Sequence, residues 1–137
     1  MFGFVGLGHA LRVARAVVRE TIKSHTRSPK WPHVRELHRA HNPTCAACGS
    51  PVHAQVHHVK PFHLNPMLEL DASNLITLCM DTNECHERVG HGDDFKAYNP
   101  MIRAHAASLL VDPTLRAKIE QEARVARLYI DVLQMKP

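Results

Sequence analysis

Four cysteines arranged in two pairs could together hold one metal ion. Cys45 and Cys48 are separated by two residues, and Cys79 and Cys85 by five. Four thiolates suit tetrahedral zinc, and the first pair, followed at once by Gly49, has the spacing of a zinc knuckle. The gap in the second pair is longer than the usual two to four residues. We predict a structural zinc on these four thiolates; the alternative is four unrelated buried thiols.

The histidines suggest a second metal site. The chain has 12 histidines, of which His57 and His58 are adjacent and His86 directly follows the last cysteine. Once a zinc has taken the thiolates, imidazoles remain for a catalytic cation with open coordination positions. His57 and His86 could meet across a hairpin and a helix. With an ordinary pKa of about 6.5, His58 is suited to activating a water. Because adjacent strand residues point to opposite faces, the pair can serve one site only where the strand ends or twists.

The elements that must position these residues follow from hydrophobic spacing and turn residues. Two strands, 52–59 and 74–79, are predicted from a β-branched alternating run and a short apolar run. Ser28 and Pro29 are predicted to open a helix over 30–40, which Asn42 and Pro43 end. Further helices are predicted at 9–24, from Cys85 to Gly90 or Gly92, at 101–111 and at 114–134.

Length and charge limit the class of protein. A chain of 137 residues supports one compact domain, or a small domain with helical extensions. Aromatic residues make up only 5%, which argues against a stacking platform for single-stranded nucleic acid. The net charge is +4, with an excess of Lys and Arg in residues 1–44 and of Asp and Glu in residues 45–92. A polyanionic partner is therefore favoured.

The sequence contains no strong membrane or export signal. No stretch reaches the roughly 18–20 uninterrupted apolar residues of a membrane helix. The apolar start over residues 1–8 lacks a preceding basic region and is followed by arginines rather than by a cleavage site. We expect a cytoplasmic protein of a bacterial or phage-infected cell, in which thiols stay reduced.

Several short motifs, in order along the chain, resemble a known family. Val56-His57-His58-Val59-Lys60-Pro61, then the run from Asp71 to Cys79, then Cys85-His86, are similar to the three-part signature of the HNH endonucleases. Residues 27–35, the first cysteine pair, His91-Gly92 and residues 96–100 resemble a subgroup of small HNH proteins with a four-cysteine zinc, many of them encoded by phages or prophages. The resemblance spans about residues 27–100. It implies an α+β fold with a ββα-metal centre, a zinc knuckle and flanking helices.

The resemblance also implies roles for individual residues. His58 matches the general base of the family, and Asn74 matches the central Asn that fixes the loop and the base. His57 and His86 match ligands of the catalytic cation. For the third ligand we predict His91, although it lies five residues after His86 and an ordinary helix favours a spacing of four.

Together these motifs imply a metal-dependent endonuclease that hydrolyses DNA phosphodiester bonds. The implied cofactors are a structural Zn²⁺ and a catalytic Mg²⁺, Mn²⁺ or Ni²⁺, and the implied partner is double-stranded DNA. Arg35, Lys60 and Arg88 are candidate phosphate contacts. No helix has a persuasive base-reading set, so weakly specific cutting is expected. The predicted organisation is a basic N-terminal helix at 1–26, a nuclease domain at 27–100 and a C-terminal helical extension at 101–137.

Two other functions remain open at this point. One is a zinc-stabilised DNA-binding module that does not cut, which would need neither His58 nor a second metal site. The other is an accessory nuclease of a phage packaging complex that acts beside a terminase. Nicking assays distinguish the first alternative, and a pull-down with packaging proteins tests the second.

Overall fold

The computed structural model describes residues 26–134, with side chains up to residue 127. The helix predicted at 9–24 lies outside the described residues. The main elements, in chain order, are helix α1 (Trp31–His41), strands β1 (Ala54–His58) and β2 (Leu75–Cys79), a π-helical segment (His86–Gly90), and helices α2 (Ile102–Val111) and α3 (Arg116–Gln134). Short 3₁₀ turns lie at Pro66–Leu68, Ala72–Asn74 and Pro113–Leu115. The α+β prediction is confirmed.

The two strands form an antiparallel hairpin whose register places a cysteine at one end and the adjacent histidines at the other. Ala54 pairs with Cys79 at one end, and His58 pairs with Leu75 at the other. Every residue of β2 is buried, which matches its continuous apolar run. Both strands are slightly shorter than predicted. Asn74, expected to begin β2, instead closes a 3₁₀ turn that Asp71 caps by accepting a hydrogen bond from the Ser73 N–H.

Helix α1 begins later than the sequence suggests. Lys30, rather than Ser28, occupies the N-cap position, and the proline of the first turn is Pro32. The Ser28 hydroxyl and carbonyl instead accept bonds from the backbone N–H groups of Lys30 and Trp31, forming a turn just before the helix. The helix ends at the predicted Asn42, because Pro43 cannot continue it.

The two C-terminal helices complete the core around the hairpin. Buried apolar side chains from β2, the π-helical segment, α2 and α3 form one cluster with the cysteines: Cys45, Ala47, Ile76, Leu78, Cys79, Cys85, Val89, Ile102, Ala106, Leu109 and Ile119. The helical extension therefore shares its core with the hairpin. No helix among residues 26–134 is long and apolar enough to cross a membrane.

Candidate metal centres and active site

The four cysteines converge as predicted. One sulfur from each of Cys45, Cys48, Cys79 and Cys85 lies within 4.8 Å of the others. The Sγ atoms of Cys48 and Cys79 are 3.6 Å apart, too far for a disulfide of about 2.05 Å. A tetrahedral zinc with Zn–S bonds of about 2.3 Å needs an S–S separation of about 3.8 Å. The cluster therefore fits a closed structural zinc site that joins the knuckle to the end of β2.

Groups around the cluster stabilise the Cys45 thiolate, whereas burial raises the pKa of Cys79 and the hydrogen bond with Cys45 raises the pKa of Cys85. The Gly49 N–H donates to the Cys45 carbonyl at 2.8 Å, and Gly49 has a φ of +75°, which permits the tight knuckle turn. A hydrogen bond with the Cys85 thiol, outweighing the effect of burial, lowers the pKa of Cys45 to about 4. Arg116 Nη2 donates to the sulfur of Cys85 at 3.5 Å. This cation offsets part of the negative charge that four thiolates place around a zinc ion.

A second group of three histidines lies at the other end of the hairpin. His57, His86 and His91 each offer a ring nitrogen within 4.8 Å of the others, and each pair of rings has a centroid distance of 4.9 Å. Nδ1 of His57 and Nε2 of His86 are 3.3 Å apart. The Nδ1–H of His91 donates to the Ala97 carbonyl at 2.7 Å, which leaves Nε2 with the free lone pair. We call this group the three-His cluster.

The π-helical segment explains how His91 joins this cluster. The His91 N–H bonds to the His86 carbonyl at 3.1 Å, which is the i→i+5 pattern of a π-turn. One extra residue in the turn brings a side chain five positions on to the same face. The segment is helical, as the sequence suggests, but an α-helix would have turned His91 away.

Burial keeps the three-His cluster in the form that binds metal. Desolvation, with repulsion from the neighbouring rings, lowers the pKa of His57 well below its ordinary value. Burial and His91 lower the pKa of His86 to about 4, and burial lowers the pKa of His91. Nε2 of His57 and Nδ1 of His86 are buried without a hydrogen-bond partner among the described residues. Neutral imidazoles, each with a ring nitrogen lone pair to offer, are the form of histidine that binds a divalent cation.

His58 lies beside this cluster but is held separately. Its ring stacks on Trp31, with a centroid distance of 4.4 Å, and its Nε2 lies 3.0 Å from the Glu69 carbonyl oxygen. Because a carbonyl can only accept, Nε2 carries the proton and Nδ1 keeps the lone pair. Burial lowers the pKa of His58, so the ring is neutral near neutral pH. His57 and His58 are the last residues of β1, where the alternation of faces ends.

Asn74 fixes the backbone that follows β1. Its Oδ1 accepts from the Lys60 N–H at 2.8 Å, and its Nδ2 donates to the carbonyls of Lys60 and Leu68 at 3.0 and 3.2 Å. Its own carbonyl accepts from the Val59 N–H. Asn74 is buried and bonds to backbone only, so it positions the loop after His58 rather than touching a substrate.

The three-His cluster and His58 line the same cavity. It has a volume of about 350 Å³ and is lined by Arg27, Val56, His57, His58, Pro61, Phe62, His63, His86, His91 and Phe95. The three-His cluster and His58 therefore open onto the same space, which two aromatic rings help to shield. A larger cavity of about 430 Å³ lies between α1, β2 and α2 and contains none of these histidines.

The predicted phosphate contacts lie outside this cavity. Arg35 and Lys60 are exposed and do not line it. Arg88 is ion-paired with Glu84 at 2.6 Å and with Glu120 at 3.8 Å. A nucleic-acid role for these three residues stays a prediction.

Two residues near the histidines had no role assigned from the sequence. Arg27 lines the cavity, and Glu69 bonds both to His58 and to the chain around Arg27. Arg27 was visible only as the first residue of the N-terminal motif. Glu69 lies in an irregular loop whose path the sequence pattern does not predict.

The comparisons with known proteins agree with this geometry. Residues 45–92 match the family model described as HNH endonuclease. The matched segment includes all four cysteines, Asn74, and the four histidines just described. No curated protein and no solved structure matches the chain. Residues 45–92 are therefore similar to the HNH endonuclease family, and the hairpin and the two candidate metal-binding clusters lie within this matched segment.

Proposed function

We propose that this protein is an endonuclease that hydrolyses phosphodiester bonds of double-stranded DNA, using His58 as the general base beside a single divalent cation. The observation that carries the proposal is the convergence of His58 and the three-His cluster on one cavity. A scaffold that only bound DNA would need the zinc site but not a second, open cluster of buried neutral imidazoles.

The proposed role of His58 follows from its hydrogen bond. The Glu69 carbonyl holds the proton on Nε2, so Nδ1 is the nitrogen that can accept a proton from water. The depressed pKa keeps this nitrogen unprotonated near neutral pH. The Trp31 ring packs against His58 with a centroid distance of 4.4 Å and a tilt of 33°, which limits the movement of the imidazole.

His57, His86 and His91 would hold the catalytic cation. A bound divalent cation would stabilise the negative charge that develops on the phosphate. Because all three ligands are imidazoles, borderline cations such as Ni²⁺ should bind more tightly than Mg²⁺, which prefers oxygen ligands. Mn²⁺ should lie between the two.

The proposed reaction is a hydrolysis. A water oxygen forms a bond to phosphorus while its proton passes to His58 Nδ1, and the bond between phosphorus and the 3′ oxygen breaks. The products are a 5′-phosphate and a 3′-hydroxyl, the leaving oxygen taking its proton from solvent. Asn74 contributes indirectly, because it holds the backbone that follows the base.

Plasmid nicking tests this proposal. Supercoiled DNA is incubated with wild-type protein and with His58→Ala in Ni²⁺, Mn²⁺ or Mg²⁺. We expect nicking by the wild type and a loss of about 100-fold or more in His58→Ala, because general-base catalysis contributes about 10²–10⁴-fold. His33→Ala, which changes an exposed histidine on α1, is the matched control and should nick like the wild type.

The assay also separates the alternatives. If wild type and His58→Ala both bind duplex DNA but neither nicks it with any of the three cations, the nuclease proposal is wrong and a non-cutting DNA-binding module is the better description. Zinc content, measured on each purified variant, shows whether the scaffold has kept its structural ion.

A further inference from the structure

Arg27 is the fixed positive charge of the cavity. Among the described residues that line it, Arg27 alone carries a permanent charge, and none is a carboxylate. The others are histidines and apolar side chains. A cavity with one arginine, a cluster suited to a divalent cation and no acidic lining is electrostatically matched to an anion.

Three neighbours hold the Arg27 guanidinium in place. Its central carbon lies 5.3 Å from the centroid of the Trp31 ring and 4.6 Å from that of Phe62, both within cation–π range. Its Nη1 donates to Oε1 of Glu69 at 3.5 Å. The guanidinium is thus positioned before any substrate arrives, although half of the side chain remains exposed.

Glu69 connects this arginine to the proposed base. Its buried carboxylate accepts from the Ser28 N–H at 2.9 Å, while its main-chain carbonyl accepts from His58 Nε2 at 3.0 Å. One residue therefore fixes both the chain segment that carries Arg27 and the tautomer of His58. Because Arg27 and His58 are both bonded to Glu69, the fold itself sets their relative position.

We propose that Arg27 binds a phosphate oxygen of the DNA strand being cut, and that Glu69 is the positioning residue that aligns Arg27 with His58. A guanidinium has five N–H donors in a planar fork, so the bond from Nη1 to Glu69 leaves donors for a phosphodiester. This inference rests on the proposed nuclease function. It assigns the substrate-binding charge to Arg27 rather than to Arg35, Lys60 and Arg88, which do not line the cavity.

The test measures binding and cleavage separately. Arg27→Gln, Arg27→Lys and the control Arg39→Gln are compared with the wild type on a short DNA duplex. Arg39 on α1 is as exposed as Arg27, is likewise near a single glutamate, and lies outside the cavity. Binding is measured at several salt concentrations without added divalent cation, and cleavage is measured under single-turnover conditions with the cation.

We expect Arg27→Gln to lower the single-turnover cleavage efficiency by about 10- to 100-fold, the effect of losing a charge-assisted contact in the transition state. The slope of log affinity against log salt should decrease in magnitude by about one, as for a lost phosphate contact. Arg27→Lys should restore the salt slope and part of the rate, because lysine keeps the charge but not the fork. Arg39→Gln should match the wild type.

Two results would overturn the inference. One is a wild-type salt slope and cleavage rate in Arg27→Gln. The other is an equal loss of cleavage in Arg27→Gln and Arg27→Lys with an unchanged salt slope, which indicates a purely structural role. If the wild type itself does not cut, the nuclease proposal fails, but the salt slope still tests whether Arg27 contacts a phosphate.

Discussion

Main-chain groups make the hydrogen bonds that hold His58 and Asn74. His58 donates to the carbonyl of Glu69, and the amide of Asn74 bonds to the backbone of Lys60 and Leu68. Such bonds depend on the path of the loop, and the loop depends on them in turn. At the scale of single residues, therefore, the orientation of these side chains and the conformation of the loop after β1 depend on each other.

Replacing Asn74 with aspartate should destabilise the protein. Asn74→Asp removes both Nδ2 donors and places a buried carboxylate against two carbonyl oxygens. We expect a loss of about 2–4 kcal/mol in the free energy of unfolding, because buried carbonyls lose their partner and a charge is buried unpaired. Chemical denaturation measures the change. Gln55→Glu makes the same amide-to-acid change at an exposed position of β1 and should have little effect.

At the scale of elements, the π-helical segment sets the geometry of the three-His cluster. It follows Cys85 directly, so the zinc site fixes its start, and its last residue, Gly90, packs against His57. A Cβ at Gly90 would lie 3.1 Å from Leu78 Cδ1 and 3.3 Å from His57 Cε1. The backbone of Gly90 is also held from outside, because its carbonyl accepts from the Asn99 N–H at 2.9 Å. An added Cβ therefore requires Leu78 and His57 to shift by a few tenths of an ångström.

Gly90→Ala should therefore weaken the three-His cluster. The added methyl group pushes on the His57 ring, and a displaced ligand lowers affinity for the cation, by about 10-fold as for other supporting contacts of metal ligands. Calorimetric titration with Ni²⁺ measures this affinity. The zinc content should stay at the wild-type level, because the four sulfurs lie at the other end of the hairpin. Unchanged Ni²⁺ affinity would show that the ring has room to move.

At the scale of the whole molecule, the cysteine cluster is part of the hydrophobic core. Cys45, Cys79 and Cys85 are buried in the same cluster as side chains from β2, α2 and α3. A hairpin of two five-residue strands cannot form a stable core alone. A zinc ion on the four cysteines would supply the missing stabilisation together with the C-terminal helices, which share this core.

Removing zinc should unfold the domain. Metal-free protein, or Cys48→Ser, should lose the cooperative thermal transition or show a markedly lower Tm, because structural zinc contributes free energy to folding directly. Circular dichroism during heating measures this. Mg²⁺ added to the metal-free protein should not restore the transition, since thiolates bind it poorly, whereas added Zn²⁺ should. A wild-type transition in fully zinc-free protein would show that the helices suffice.

The sequence by itself determined the elements and the sets of metal ligands. Residue spacing and turn residues predicted both strands and the helices after residue 30 to within a few positions, together with the four-cysteine cluster. The proximity of His57 and His86 was also predictable, because each lies near the end of an element that local sequence patterns delimit. Local patterns are enough to predict a segment's conformation where residues adjacent in the sequence determine it.

Only the tertiary structure decided how these parts form a site. A π-turn differs from an α-turn by one residue, and the sequence predicted only a helix here. Spacing could therefore suggest His91 as a ligand, but not the turn that brings it to the cluster. Arg27 and Glu69 meet across 42 positions of sequence, through an irregular loop with no period to read. Such contacts arise from long-range packing, which a pattern of neighbouring residues does not encode.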